Sequence, residues 1–264
     1  MNETLRLIHH RRSVRAYDGR PVDRETVDTI INAAMRAPTA GNLMLYSILE
    51  IEDQAIKGKL AQSCDNQPFI ARAPLVLVFL ADYQRWIDAF FASDVPAYCQ
   101  AEGERMRLPG EGDLLLACCD ALIAAQTAVI AAESLGVGSC YIGDIMEHYE
   151  YHRQLLNLPQ YAFPITMVCF GYPAQEARER RLTPRFSQAC IHFKDSYRRL
   201  EAKELLSMLE TRRRGRTLGN NANVGQYTYV QKFSADFTIE MTRSIQEAIR
   251  TWTADMERER PDSA

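Results

Sequence analysis

His10-Arg11-Arg12-Ser13-Val14-Arg15 packs three arginines and a hydroxyl into six residues. A guanidinium presents a planar fork of donors that suits a phosphate better than an ammonium does, and Ser13 sets a further donor between Arg12 and Arg15. The chemistry on offer is anion binding, and the competing reading is a solvated basic turn. Arg212-Arg213-Arg214-Gly215-Arg216 poses the same choice, a phosphate-binding loop or a charged loop in water. His148 and His152 are four apart on an expected helix, a spacing that can share a metal. The acid beside them, Glu150, is misplaced for the metalloprotease pattern, and no third ligand is evident, so two histidines on a solvated helix face and no metal are expected.

Other chemistries lack their residues. Gly136-Val137-Gly138 follows a helix and precedes a strand, the reverse of a dinucleotide fingerprint, and Tyr141 stands where the third glycine would be. No phosphate loop of the G-x-x-x-x-G-K type and no G-x-S-x-G elbow occurs. No nucleophile triad or carboxylate pair is evident, so no catalytic side chain is expected and any hard chemistry must come from a cofactor.

Elements to position these residues are legible. Leu5 and Ile8 share a face of a short opening helix. Asp23 caps a helix whose Val27, Ile30, Ile31, Ala34 and Met35 recur at helical spacing until Pro38. Tyr46 to Glu52 reads as a strand and Gln54 to Cys64 as a helix. Ala73 to Ala81 is a continuous β-prone run, as in a central strand covered on both faces. Residues 83–93 read as helix and Pro96 to Gly112 as an irregular excursion. A long apolar helix over Leu114 to Ala132 follows, with Gly136 as its left-handed cap. Ser139 to Ile142 is a strand. Asp144-Ile145-Met146-Glu147 then has the form of a capping box opening a helix to Leu156. Ile165 to Phe170 is the last strand. Helices are expected over 195–213 and 235–252, separated by a glycine- and asparagine-rich stretch.

The chain has 264 residues, 47% hydrophobic and 25% charged, enough for a full core without disulfides. Its net charge of −3 gives no general field toward nucleic acid or membrane. The seven cysteines form no CxxC pair and read as reduced thiols of a cytoplasmic protein. No signal peptide is expected. Asp120, Gln126 and Thr127 argue against a membrane span over 114–132.

Three separated segments form an ordered set: His10 to Arg15, Ala37-Pro38-Thr39-Ala40-Gly41-Asn42, and Gly136 to Gly143. In order and spacing the set resembles the nitroreductase family of FMN enzymes. The C-terminal arm, opening at Thr183-Pro184-Arg185, is similar to the larger flavin-reductase-like branch. The resemblance implies an α+β, three-layer fold with a central mixed sheet flanked by helices, in an obligate homodimer. Residues 1–199 would be the FMN domain, and residues 200–264 a helical arm wrapping the partner. FMN would be held by Arg11, Arg12, Ser13, Arg15 and Arg185 at its phosphate end. Pro38, Thr39, Ala40 and Asn42 would reach it across the subunit interface, or else form an ordinary helix-to-strand turn. Gln67 would meet the ring's polar edge, and Tyr141, Ile142, Gly143 and Asp144 would lie by N5, where helix-terminal N–H groups favour negative charge. For the Asp144 side chain itself, capping is the simpler role. Arg213 and Arg214 would take the 2′-phosphate of NADPH.

The implied reaction is ping-pong hydride transfer from NADPH or NADH to a small-molecule acceptor such as a nitroaromatic, quinone or free flavin. A dehalogenase-like flavoenzyme and a flavin-binding redox sensor remain alternatives on the same scaffold.

Overall fold

The computed structural model describes residues 1–213 and 217–259, the last five of these as backbone. The chain divides into two compact units, Met1–Arg180 with Glu240–Ala264, and Arg181–Ile239.

The first unit is built on a sheet of order β1-β2-β4-β3, with β1 Tyr46–Glu50, β2 Leu75–Asp82, β3 Gly138–Ile142 and β4 Ala162–Gly171. All three strand pairings are antiparallel. The parallel share expected of a mixed sheet is confined, among the described residues, to an isolated bridge between Ser13 and Ser139. β2 is central and buried nearly end to end, as its unbroken apolar run requires. Its odd-numbered residues Leu75, Leu77 and Phe79 join one core cluster, and Val76, Val78 and Leu80 join another on the opposite face.

Helices Arg24–Ala34 and Glu111–Ser134 cover the first face, through Val27, Ile30 and a run of alanines. Gln54–Ser63 and Pro68–Arg72 cover the second, through Leu60, Phe69 and Ile70. The layers are therefore helix, sheet, helix. Asp23 caps its helix as expected, its side chain accepting from the Thr26 N–H at 2.8 Å. Gly136 takes the left-handed conformation beyond the long helix (φ +75°).

The long helix packs its small residues inward: Ala117, Ala121, Ala124, Ala125, Ala128 and Ala132 are fully buried. It is long and apolar enough to cross a bilayer, but this face is core against β2 and β4. Its bulky residues Leu115, Leu116, Leu122 and Ile123 stand exposed on the outer side.

Two expectations need correction here. The excursion after Pro96 begins with a helix, Val95–Ala101, because proline fits the first turn of a helix, where its missing N–H is not needed. The capping box at Asp144 does not form. Asp144–Met146 is a 3-10 turn, and the helix starts only at Tyr149, after His148 takes a left-handed φ of +51°. Ile145 and Glu147 are both buried, which pulls this stretch inward as a turn.

The C-terminal helix, Asp236–Glu259, returns to the first unit. Trp252 is buried there, its ring edge-on to Tyr161 with centroids 5.5 Å apart. The second unit contains the helices Ala202–Glu210 and Val224–Thr228.

Candidate functional site

Residues 13–18 run across the end of the sheet. The Val14 N–H donates to Ser139 O at 2.9 Å, the Asp18 N–H to Tyr172 O at 3.0 Å, and the Ala174 N–H to Ala16 O at 3.1 Å. Two glycines opposite each other in the β3–β4 register, Gly138 and Gly171, make the crossing feasible. A methyl on Gly138 would sit 2.5 Å from Val14 Cγ2, and one on Gly171 would sit 2.6 Å from Tyr17 Cδ1. Val14 is buried against this gap. In an extended segment its neighbours Ser13 and Arg15 then face the other way. The Arg15 guanidinium lies 5.7 Å over the Phe69 ring and makes no ion pair among the described residues.

The other arginines divide differently. Arg12 Nη1 donates to the carbonyls of Arg178 and Arg180, both at 2.6 Å. It thereby ties down the chain after β4. Arg11 turns to the long helix, lining a small cavity of about 100 Å³ with Gln126 and Glu133, and its buried Nη1 has no hydrogen-bond partner. Burial lifts the Glu133 carboxyl to about 7 against the pull of Arg11 and Arg12. Arg185 belongs to the second unit. Arg213 is there too, 3.5 Å from Glu210, and Arg214 lies outside the described residues.

Gln67 and Asp144 meet: the Gln67 amide donates to Asp144 Oδ2 at 2.6 Å and to Cys64 O at 3.0 Å. Its carbonyl oxygen is the acceptor that remains. The Tyr141 hydroxyl donates to Gln126 on the long helix at 3.2 Å. A methyl built on Gly143 would meet only Met146 Cε, at 4.0 Å, so the face of this turn is open. Pro38, Thr39, Ala40 and Asn42 lie elsewhere. They precede β1, and β1 and β3 are opposite edges of the sheet. A cavity of about 890 Å³ near Ile87, Phe91 and Tyr161 lies at the Asp82–Ala162 end of the sheet, away from Arg12 and Arg15.

The sequence matches the Nitroreductase family over residues 8–172. The chain belongs to that family. It is 32% identical over 211 residues to a Bacillus subtilis FMN reductase [NAD(P)H], covering 80% of each chain. It is 30% identical over 241 residues to a Pseudomonas Cr(VI) reductase, covering 90% of this chain and 92% of that one. The solved structure of B. megaterium NfrA2 superposes with a TM-score of 0.77 at 28% identity, covering 94% of this chain and 98% of that one. This nitroreductase is accordingly an oxidoreductase that uses FMN and a nicotinamide donor.

Around its Tyr141–Asp144 turn, the nitroreductase carries supports that sequence reasoning missed. Ser244, fully buried on the C-terminal helix, donates to Met146 O at 2.7 Å and accepts from the Tyr149 N–H at 2.9 Å. His152 is buried rather than on a solvated face. Its Nδ1 bonds the Ile145 carbonyl at 2.9 Å, so that nitrogen carries the proton, and Nε2 accepts from Ser63 Oγ at 2.7 Å. Burial holds its imidazole below the ordinary 6.5, in the neutral form. His148 instead pairs with Glu240 at 3.1 Å. The period of the helix gave both histidines one face, but the left-handed break at His148 separated them.

Glu147 is 3% exposed and its Oε1 has no hydrogen-bond partner among the described residues. Burial, with Asp144, Asp65 and Glu240 adding to it, raises its carboxyl from 4.5 to about 7. The folded chain thus holds this proton more tightly than the unfolded chain does. The corresponding stability is full below 4.5 and is lost as pH rises to about 7. Glu147→Gln should therefore melt higher than the parent protein at about pH 8, and the difference should vanish toward about pH 4.5. Melting curves across that range check the sign; a difference independent of pH would refute it.

Proposed function

We propose that this nitroreductase works as a homodimer, passing electrons from NADPH or NADH to a small acceptor: a nitroaromatic, a quinone, a free flavin or, as the name of the Pseudomonas relative suggests, chromate. The observation that carries the reading is the crossing of residues 13–18 over Gly138 and Gly171, which sets Ser13 and Arg15 on the side opposite Val14. These two residues fit an FMN phosphate, a doubly charged anion suited to a guanidinium with no competing carboxylate. Arg12 fixes the chain beside them, with Arg11 as a further cation. The open face at Gly143 fits a flat ring, and the Gln67 carbonyl oxygen can accept from a ring N–H. Bound there, FMN would supply the two-electron hydride chemistry that links the nicotinamide donor to the acceptor in a ping-pong reaction.

The protein's contribution is binding and electrostatics. The backbone N–H groups at 143–145 open a turn and favour negative charge in front of them. Pro38, Thr39, Ala40 and Asn42 complete the site from the other protomer. Their position at the opposite sheet edge from the Tyr141–Asp144 turn supports a two-chain site. Leu115, Leu116, Leu122 and Ile123 supply an apolar face for pairing. Within the arm expected over 200–264, the stretch before the C-terminal helix reaches the partner, with Arg213 and Arg214 taking the 2′-phosphate of NADPH. Ser244 and Trp252 keep that helix on its own chain. The enzyme is cytoplasmic.

The decisive experiment is to purify the protein, identify its bound chromophore and titrate it anaerobically with NADH and with NADPH. Bleaching of a stoichiometric FMN, followed by turnover with a quinone or nitro compound, is expected. A protein that takes up no FMN sinks the reading, and bleaching without turnover would leave a sensor.

A further inference from the structure

Asp120 is a carboxylate in the middle of the most apolar helix of the chain, and it is 2% exposed. It forms no ion pair among the described residues. Among the described residues, all its hydrogen bonds run to one loop. Oδ1 accepts from the Ala40 N–H at 3.0 Å, while Oδ2 accepts from the Leu45 N–H at 3.2 Å and from the Thr39 hydroxyl. Thr39 Oγ1 in turn accepts from the Met44 N–H at 2.9 Å. One buried carboxylate thus gathers both ends of the 39–45 loop.

The loop needs such a hub. Gly41, Asn42 and Met44 have φ of +55°, +57° and +50°, and two of the three are not glycine. L-residues enter this region reluctantly, and a run this dense does not hold itself. A carboxylate can accept at both oxygens, whereas an amide would turn an N–H toward these donors. The same helix receives the Tyr141 hydroxyl at Gln126, and its outer face carries the exposed leucines. Loop, turn and apolar face are therefore all attached to one rigid element.

We infer that Asp120 is a positioning residue for the flavin: through Thr39, Ala40 and Leu45 it sets the loop that closes on the partner's FMN. The long helix thereby ties pairing of the subunits to FMN affinity. The inference rests on the two-chain site proposed above. Asp120 touches no cofactor atom and acts only through the loop.

The test compares Asp120→Asn, Thr39→Val and Thr39→Ser in the full-length protein. Subunit mass is measured by light scattering, FMN affinity by flavin fluorescence, the bound flavin by visible circular dichroism, and the apoprotein by amide hydrogen exchange. Asp120→Asn is expected to stay dimeric, to bind FMN at least about tenfold more weakly, and to alter the flavin's dichroism. In its apoprotein, exchange at Ala40 and Leu45 should accelerate. Thr39→Val should move exchange at Ala40 and Leu45 the same way by less, and Thr39→Ser, which keeps the hydroxyl, should lie between Thr39→Val and the parent. A dimeric Asp120→Asn with parental FMN affinity and dichroism overturns the inference. If that variant fails to fold, Thr39→Val decides, and parental affinity there overturns it equally. A parent protein that binds no FMN would instead refute the proposed function, and the inference with it.

Discussion

Gly138→Ala is expected to lower the melting temperature of the apoprotein and to weaken FMN binding together. The added methyl would lie 2.5 Å from Val14 Cγ2 and 3.0 Å from Val14 Cβ. Val14 has nowhere to go, because it is 3% exposed and its N–H is bonded to Ser139 O. Overpacking of this kind costs about 1–3 kcal/mol, or roughly 2–12 °C for a chain of this size. Relief requires residues 13–15 to lift off β3, which moves Ser13 and Arg15 with them, so FMN affinity should fall by roughly tenfold or more. Gly143→Ala is the matched control. Its φ is ordinary and a methyl there meets only Met146 Cε, so apoprotein stability should hold while a ring packed on that face is displaced. Thermal melts with and without FMN separate the two effects. A Gly138→Ala protein with parental melting and affinity would show that the close approach at Val14 is immaterial.

Arg15→Ala should give the largest loss of FMN for the least loss of fold. Among the described residues its guanidinium has no carboxylate to abandon, and it lies over the Phe69 face. Removing a charge-assisted bond to phosphate costs about 1.5–3 kcal/mol, a factor of roughly 10–150 in Kd. Arg15→Lys should recover only part of this, since an ammonium lacks the fork. Arg12→Ala should behave differently and lower stability as well, because it frees the Arg178 and Arg180 carbonyls. Calorimetric titration with FMN, set beside melting of the apoprotein, reads both quantities. Equal affinity in Arg15→Ala and the parent would remove Arg15 from the site.

The sequence was readable wherever one element's own pattern decides the outcome. Leu75 to Ala81 has no polar residue to face water, so it had to be central. Asp23 sits one residue before a 3.6-residue repeat and needs no distant partner to cap it. The misreadings share the opposite cause. Asp144 and Glu147 have capping-box spacing, but Gln67, 77 residues away, takes the Asp144 carboxylate, and burial of Glu147 prevents its return to the backbone. Asp120 looked like a polar blemish that spoke against a membrane span; its partner Thr39 lies 81 residues earlier. A lone acid in an alanine-rich helix was the available signal, and it called for a buried acceptor role. Gly138 was weighed as part of a nucleotide loop, although its use is to admit Val14.

The crossing at Gly138 and Gly171 also orders events during synthesis. Ser13 and Arg15 leave the ribosome well before the surface they dock on, which includes Gly138, Ser139, Gly171 and Tyr172. The hydroxyl that braces the neighbouring turn, Ser244, is later still, and Trp252 enters the core only after it. Contacts so distant in sequence form slowly. A growing chain thus carries Ser13 and Arg15 with no frame to hold them until these later segments have emerged.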